Sequence, residues 1–221
     1  MKQESLKAAV LISGTGSNLK ALIDAIAIND LDLNIVRVVS NRADAPGINH
    51  AMNAEIPVSV ISHADFPDRQ AHDAAVASVL QQSQAELIIL AGYMRILSEE
   101  FTNRYSGRMI NLHPSLLPLY KGLDTYNRVL QSGDKQTGAS IHFVTAGLDS
   151  GPVISQVTMP VGSDDDEKSL KVRLGPLEHQ LLTATVRLFC NREITYRQGL
   201  VLYREQEIKQ PLQLSHDGSF M

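Results

Sequence analysis

Asn111 and His113 stand two residues apart in the run Arg108-Met109-Ile110-Asn111-Leu112-His113-Pro114. On a strand, positions i and i+2 project to the same face, so an amide and an imidazole would point together. Pro114 biases His113 toward extended backbone and ends the strand there. Such a pair suits acyl-group chemistry: the amide NH2 donates to a carbonyl oxygen that becomes an oxyanion, and the imidazole moves protons. The same residues also read as a strand-end histidine capping a carbonyl, with the asparagine in the adjoining turn. Leu148-Asp149-Ser150-Gly151-Pro152 adds a carboxylate on a tight turn. A carboxylate beside an imidazole favours the imidazolium, the form that donates a proton. By itself, the turn reads more plainly as an Asx-turn in which Asp149 caps its own backbone.

Two further segments could receive ligands. Ser13-Gly14-Thr15-Gly16-Ser17-Asn18-Leu19 lies where an apolar run gives way to a helical pattern. Glycines there let backbone approach a ligand closely, and the following helix offers unpaired N–H groups with positive dipole character. No Gly-Lys-Ser/Thr follows, so it is not a P-loop. Leu19 occupies the third glycine position of a dinucleotide fingerprint, and Ser40-Asn41-Arg42 lacks the acid that would hold an adenosine ribose. A single phosphate monoester fits better, and an ordinary glycine-rich turn with Ser17 as N-cap fits equally well. Gly92-Tyr93-Met94-Arg95-Ile96-Leu97 follows the most apolar run of the chain. It reads either as the wall of a pocket for a flat aromatic ligand or as packing beneath a loop.

The elements that must hold these residues follow from periodicity. Short apolar runs at 8–12, 35–39, 58–61, 87–91 and 108–113 alternate with helical patterns at 17–28, 46–54, 67–82 and 98–105. That rhythm predicts a parallel sheet with right-handed crossovers. After residue 113 it changes: a helix near 126–132 precedes two strand-like runs, 139–144 and 153–157, separated only by a turn, which predicts an antiparallel pair. Asp164-Asp165-Asp166-Glu167 sets negative charge at the start of a helix predicted over 167–190, matching its dipole. The expected class is therefore α/β, a Rossmann-like doubly wound, mostly parallel sheet with an antiparallel C-terminal part. A single domain is expected over 1–221, its core at about 7–204, with a polar tail at about 205–221 whose last ten residues read as loose.

Composition narrows the function classes. Hydrophobic residues make up 43% of the 221 residues and charged residues 20%, enough for a substantial core and unlike a disordered chain. Twenty Lys+Arg against 24 Asp+Glu give a net charge of −4, which disfavours a dedicated nucleic-acid binder. The single cysteine, Cys190, forms no internal disulfide and fits a reducing cytoplasm. No apolar run is long enough for a membrane span, the first residues lack a signal-peptide pattern, and no His/Cys cluster has metal-ligand spacing.

Taken together, Gly14-Thr15-Gly16-Ser17-Asn18-Leu19, Ala91-Gly92-Tyr93-Met94-Arg95-Ile96-Leu97, Asn111-Leu112-His113-Pro114-Ser115-Leu116-Leu117-Pro118 and Leu148-Asp149-Ser150-Gly151-Pro152 resemble the glycinamide ribonucleotide transformylases, folate-dependent members of the formyltransferase superfamily. The resemblance runs in order from about residue 7 to at least residue 190. It implies a Rossmann-like fold and transfer of a formyl group from 10-formyltetrahydrofolate, as co-substrate, to the amine of glycinamide ribonucleotide in purine (IMP) synthesis, without a metal. It implies that Asn111, His113 and Asp149 are catalytic, with Asn111 and a protonated His113 stabilising the oxyanion and Asp149 keeping the ring charged. It implies ribonucleotide contacts from Gly16, Ser17, Asn18 and Glu178, and folate contacts from Arg69, Met94, Arg95, Ile96, Leu97 and Asn111. His142 shares the sheet alternation and is a candidate support for the site. Partners are expected to be these small molecules only, with no nucleic acid or membrane, in a cytoplasmic monomer or homodimer. Where many relatives carry histidines, this chain reads Lys121-Gly122-Leu123-Asp124-Thr125-Tyr126. Competing readings are a formyltetrahydrofolate deformylase and a non-catalytic phosphate-binding module.

Overall fold

The computed structural model describes residues 4–215 and 217–220. The chain divides into two compact units, Met1–Asn111 and Leu112–Met221.

In the first unit, β1 (Leu6–Ile12), α1 (Ser17–Ala27), β2 (Leu33–Ser40), α2 (Gly47–Asn53), β3 (Val58–Val60), α3 (Arg69–Ser83), β4 (Leu87–Leu90), α4 (Glu99–Arg104) and β5 (Met109–His113, its last two residues belonging to the second unit) follow the predicted alternation. The strands stand in the order β5-β4-β1-β2-β3 and every pairing is parallel. Val10, Leu11, Ile12, Ile88 and Ile89 are fully buried, as central parallel strands covered on both faces require. In α1 the buried stripe is Leu19, Leu22 and Ala25. Helix starts are set locally: the Asp68 side chain accepts from the Ala71 amide, and the Ser98 hydroxyl from the Phe101 amide. Every strand-to-helix passage of this sheet opens at the carboxyl ends of the strands, where such folds place ligands.

In the second unit, α5 (Thr125–Ser132) leads to β6 (Gln136–Phe143) and β7 (Val153–Pro160), paired antiparallel from Gln136↔Pro160 to His142↔Val153. The register slips between Ile141 and His142, a bulge at the strand end beside the predicted aspartate turn. Next comes α6 (Glu167–Cys190), closed at its start by a capping box between Asp166 and Ser169. β8 (Ile194–Arg197), β9 (Leu200–Tyr203) and β10 (Gln206–Glu207) then form a small antiparallel sheet.

The fold class is as expected, with a parallel sheet in the first unit and an antiparallel pair in the second. The tail is not as expected. Within 205–221, β11 (Leu212–Gln213) pairs parallel with β7, and the Leu214 amide donates to the Gln156 carbonyl at 2.8 Å. Polar composition hid this because only Leu212 and Leu214 carry the burial, each 8% exposed. His216 and Met221 lie outside the described residues.

Candidate active site

At the end of β1 the chain turns through two glycines into α1. The helix N-cap is Gly16, at φ 72°, rather than Ser17. A Cβ on Gly16 would lie 2.6 Å from the Gly47 Cα, and one on Gly47 would lie 2.8 Å from the Gly16 Cα. The two backbones therefore touch, and only a glycine pair permits it. The Gly47 amide donates to the Gly14 carbonyl at 3.0 Å and closes the turn. Gly47 carried no signal of its own in the sequence, because its partner lies 31 positions away. No acidic residue stands in the first turn of α1. A positive helix end that lacks an internal counter-charge suits an anion.

The segment Gly92-Tyr93-Met94-Arg95-Ile96-Leu97 sits after β4 in the same unit. Tyr93 and Leu97 are buried, whereas Met94 and Ile96 are 69% and 53% exposed. Two exposed apolar side chains flank Arg95, whose Nε is buried without a partner among the described residues. This is the surface a flat, partly polar ring would cover. Ser13, 5% exposed, accepts from the Met94 amide at 2.8 Å through Oγ and donates to Asn41 Oδ1 at 2.6 Å. Arg69 is exposed at the first turn of α3. Asn111 lies on β5 in register with Leu90.

His113 ends β5, and the second unit surrounds its ring with acceptors. Nε2 lies 2.9 Å from the Tyr120 carbonyl, and Nδ1 lies 3.4 Å from Asp149 Oδ2. Asp149 Oδ1 lies 3.5 Å from His142 Nε2, and Oδ2 accepts from the Gly122 amide at 2.8 Å. One carboxylate thus stands between two imidazoles, with both His113 and His142 nearly sealed from solvent. His142 Nδ1 lies 2.9 Å from the Phe143 carbonyl, which fixes the ring. The turn that presents Asp149 is tight: Asp149 has φ 43°, and a Cβ on Gly151 would fall 1.8 Å from the Phe143 carbonyl oxygen.

The loop after His113 is anchored from beneath. Ser140 Oγ donates to the Ser115 carbonyl at 2.6 Å and accepts from the Leu117 amide at 3.0 Å. Gln156 Nε2 donates to the Leu117 carbonyl and to Ser140 Oγ, each at 2.9 Å. The Tyr120 hydroxyl donates to Asp134 Oδ2 at 2.5 Å, and the Arg128 guanidinium lies 5.4 Å over its ring. Residue type alone does not mark Tyr120, Gly122, Ser140 or Gln156 as part of the site. Two of them act through backbone atoms, which side-chain identity does not reveal.

Electrostatics depart from one expectation. Burial is the largest influence on His113 and pulls it below the ordinary histidine range, outweighing the Tyr120 carbonyl and the Asp149 carboxylate that favour the charged ring. The resting ring is therefore a neutral proton acceptor, not the imidazolium anticipated from a neighbouring aspartate alone. Asp149 goes the other way: burial works to raise it, but the His142 imidazole, the Gly122 amide and His113 together hold it below the usual carboxylate range.

Glu178 lies near the middle of α6, half-buried, with the Tyr126 hydroxyl of α5 donating to its Oε1 at 3.4 Å. Burial pushes its carboxyl up to about 7, partly offset by Tyr126 and Lys171. Of the predicted residues, the structure gathers His113, Asp149 and His142 in the second unit and pairs Glu178 with Tyr126. In the first unit Ser13 immediately precedes the turn that carries Gly16, Ser17 and Asn18, and its hydroxyl holds the Met94 amide.

The formyl transferase family profile matches residues 6–186. A phosphoribosylglycinamide formyltransferase of Haemophilus influenzae is 38% identical over 194 residues, covering 88% of this chain and 92% of that protein. The trifunctional purine biosynthetic protein adenosine-3 of Drosophila melanogaster is 42% identical over 193 residues; the match covers 86% of this chain but only 14% of that longer protein. A solved phosphoribosylglycinamide formyltransferase from Coxiella burnetii superposes with a TM-score of 0.89 at 40% identity, covering 93% of this chain and 96% of the other. On this match over most of its length, and with a carboxylate-flanked imidazole at the end of β5 and a glycine-paired turn after β1, the chain belongs to the formyl transferase family.

Proposed function

We propose that the chain transfers the formyl group of 10-formyltetrahydrofolate to the primary amine of glycinamide ribonucleotide, a step of purine synthesis, as one formyltransferase domain in the cytoplasm, monomeric or homodimeric. The observation that carries this reading is the Asp149 carboxylate held 3.4 Å from His113 Nδ1 and 3.5 Å from His142 Nε2. A module that only binds phosphate has no use for a buried imidazole flanked by an ionised carboxylate. Likeness to the Haemophilus influenzae enzyme over most of both chains supports the choice of acceptor.

In this reading the turn at Gly16, Ser17 and Asn18 holds the ribonucleotide phosphate through backbone N–H groups and the Asn18 amide. Glu178 accepts a hydrogen bond from the amine. Met94, Ile96 and Leu97 seat the folate ring, and Arg95 and Arg69 contact its polar parts. The neutral amine attacks the formyl carbon, the C=O π pair moves to oxygen, and the Asn111 amide donates to that oxyanion. His113, neutral at rest, takes the proton the amine loses. The resulting imidazolium is held by the Tyr120 carbonyl on one side and Asp149 on the other. Collapse of the oxyanion breaks the bond to the folate nitrogen, which receives the proton from His113. No side chain forms a covalent intermediate, and proton count is conserved through one ring.

The test uses the purified chain, 10-formyltetrahydrofolate and glycinamide ribonucleotide, followed by absorbance. Formyl release only when the ribonucleotide is present supports the transferase. Release to water without it establishes the hydrolase instead, and no release with either establishes a binding module. His113→Ala is expected to lose turnover while keeping ribonucleotide affinity.

A further inference from the structure

Ser13 is the last residue before the anion turn, and its hydroxyl is committed twice. Its hydrogen goes to Asn41 Oδ1 at 2.6 Å and its lone pair receives the Met94 amide at 2.8 Å. Ser13 and Asn41 are 5% and 3% exposed, so water does not substitute for either bond. Three strand ends meet on this one oxygen: β1 leading to the turn, β2 ending before Asn41, and β4 followed by the Met94 segment. Gly92, at φ 77°, gives the last of these loops its sharp bend, so the Met94 amide is the first point after the bend where the segment is tied down.

We infer that Ser13 is a positioning residue that couples the two substrate sites of the first unit: anion binding in the Gly14-to-Asn18 turn orders the Met94 segment, and the reverse holds by linkage. The inference rests on the proposed function, which assigns one substrate to each side of Ser13. The physical route is short. An anion that fixes the turn fixes the Ser13 backbone, and with it the direction of a hydroxyl that already has both partners. An alanine would leave the Asn41 carbonyl and the Met94 amide without that partner, and the segment would no longer register the state of the turn.

The experiment measures the affinity of wild type, Ser13→Ala and Ser13→Thr for a non-transferring folate, tetrahydrofolate, with and without glycinamide ribonucleotide. In wild type the ribonucleotide is expected to tighten folate binding at least fivefold. In Ser13→Ala the enhancement falls below twofold, with folate KM rising about tenfold and kcat changing less than threefold. Ser13→Thr, which keeps the hydroxyl, restores most of the coupling. A purely structural role would instead lower the active fraction and kcat with KM intact. Undiminished coupling in Ser13→Ala, or no coupling in wild type, overturns the assignment. If Ser13→Ala does not fold, amide exchange on wild type decides: slower exchange across 92–97 on adding ribonucleotide alone supports the coupling, and unchanged exchange overturns it. Absence of formyl transfer in wild type overturns the functional reading, whereas transfer with intact coupling in Ser13→Ala overturns only the role of Ser13.

Discussion

At the scale of single residues, the proposed reaction turns on the charge of His113. Burial lowers its pKa below the ordinary 6.5, and Asp149 opposes that trend. Replacing Asp149 by Asn removes a stabiliser of the imidazolium and moves the ring's pKa lower still. The acid limb of kcat at saturating substrates, where the binding titration of Glu178 no longer enters, therefore lies below the usual histidine value in wild type and shifts further down in Asp149→Asn. Turnover falls on the order of 10²- to 10⁴-fold, because the imidazolium formed during proton transfer loses its partner. A pH–rate profile of both proteins checks this; an acid limb that moves up would remove Asp149 from that role. Gly47 offers a second residue-scale test. Its Cβ would meet the Gly16 Cα at 2.8 Å, Ile12 Cδ1 at 2.9 Å and the Gly14 carbonyl at 3.1 Å. Two of these are backbone contacts that cannot yield, so Gly47→Ala displaces the anion turn. Ribonucleotide KM is expected to rise tenfold or more with kcat much less affected, read from saturation curves with an unchanged far-ultraviolet circular dichroism spectrum.

At the scale of elements, α5 and α6 present a pair that the sequence names only half. Glu178 follows from family resemblance, whereas Tyr126 carries no motif of its own, and its partner is visible only once the helices pack. Glu178 at about 7 is protonated across the mildly acidic range and ionised above it. Acceptor binding that uses the carboxylate therefore strengthens as pH rises through about 7. The ratio of wild-type to Glu178→Gln ribonucleotide affinity, which cancels titration of the substrate itself, should show this rise. Tyr126→Phe removes a hydrogen bond to the ionised form, so the rise moves to higher pH. The linkage sign for folding is opposite: the folded state holds a proton that the unfolded carboxyl has already lost, so this contribution to stability is complete below about 4.5 and disappears as pH rises through about 7. Chemical denaturation of wild type and Glu178→Gln at pH 5 and pH 8 measures it. The strand–helix alternation up to residue 113 was legible because buried parallel strands and amphipathic helices leave distinct periods. The grouping of His113 with Asp149 was legible only through the family resemblance, since the aspartate turn alone reads as an Asx-turn, and His142 was legible from sheet alternation. The supports were not, because Tyr120 and Gly122 act through main-chain atoms, and Ser140 and Gln156 alternate with core residues on strands that read as plain.

At the scale of the whole molecule, the polar C-terminal segment is linked to the His113 ring through one side chain. β11 covers the free edge of β7, the Leu214 amide bonds the Gln156 carbonyl, and Gln213 Nε2 lies 3.5 Å from Gln156 Oε1. The amide end of Gln156 holds the Leu117 carbonyl, and the loop it anchors carries the Tyr120 carbonyl to His113 Nε2. Ending the chain at Pro211 therefore has two separable effects. Loss of the buried Leu212 and Leu214 side chains costs about 3–6 kcal/mol at the usual value per fully buried leucine. For a chain of this size that lowers Tm by on the order of 10 °C. Uncovering β7 also exposes a strand edge to other copies, so light scattering on warming should begin earlier than in the full chain. Below the transition, the freed Gln156 leaves the loop less fixed, and kcat falls several-fold because the imidazolium loses part of its acceptor set. Gln156→Ala in the full-length chain isolates that second effect: it should reproduce the loss of kcat while leaving the β7 edge covered and the onset of scattering unchanged. A truncated protein that melts earlier yet turns over normally at 15 °C would show that β11 serves folding alone.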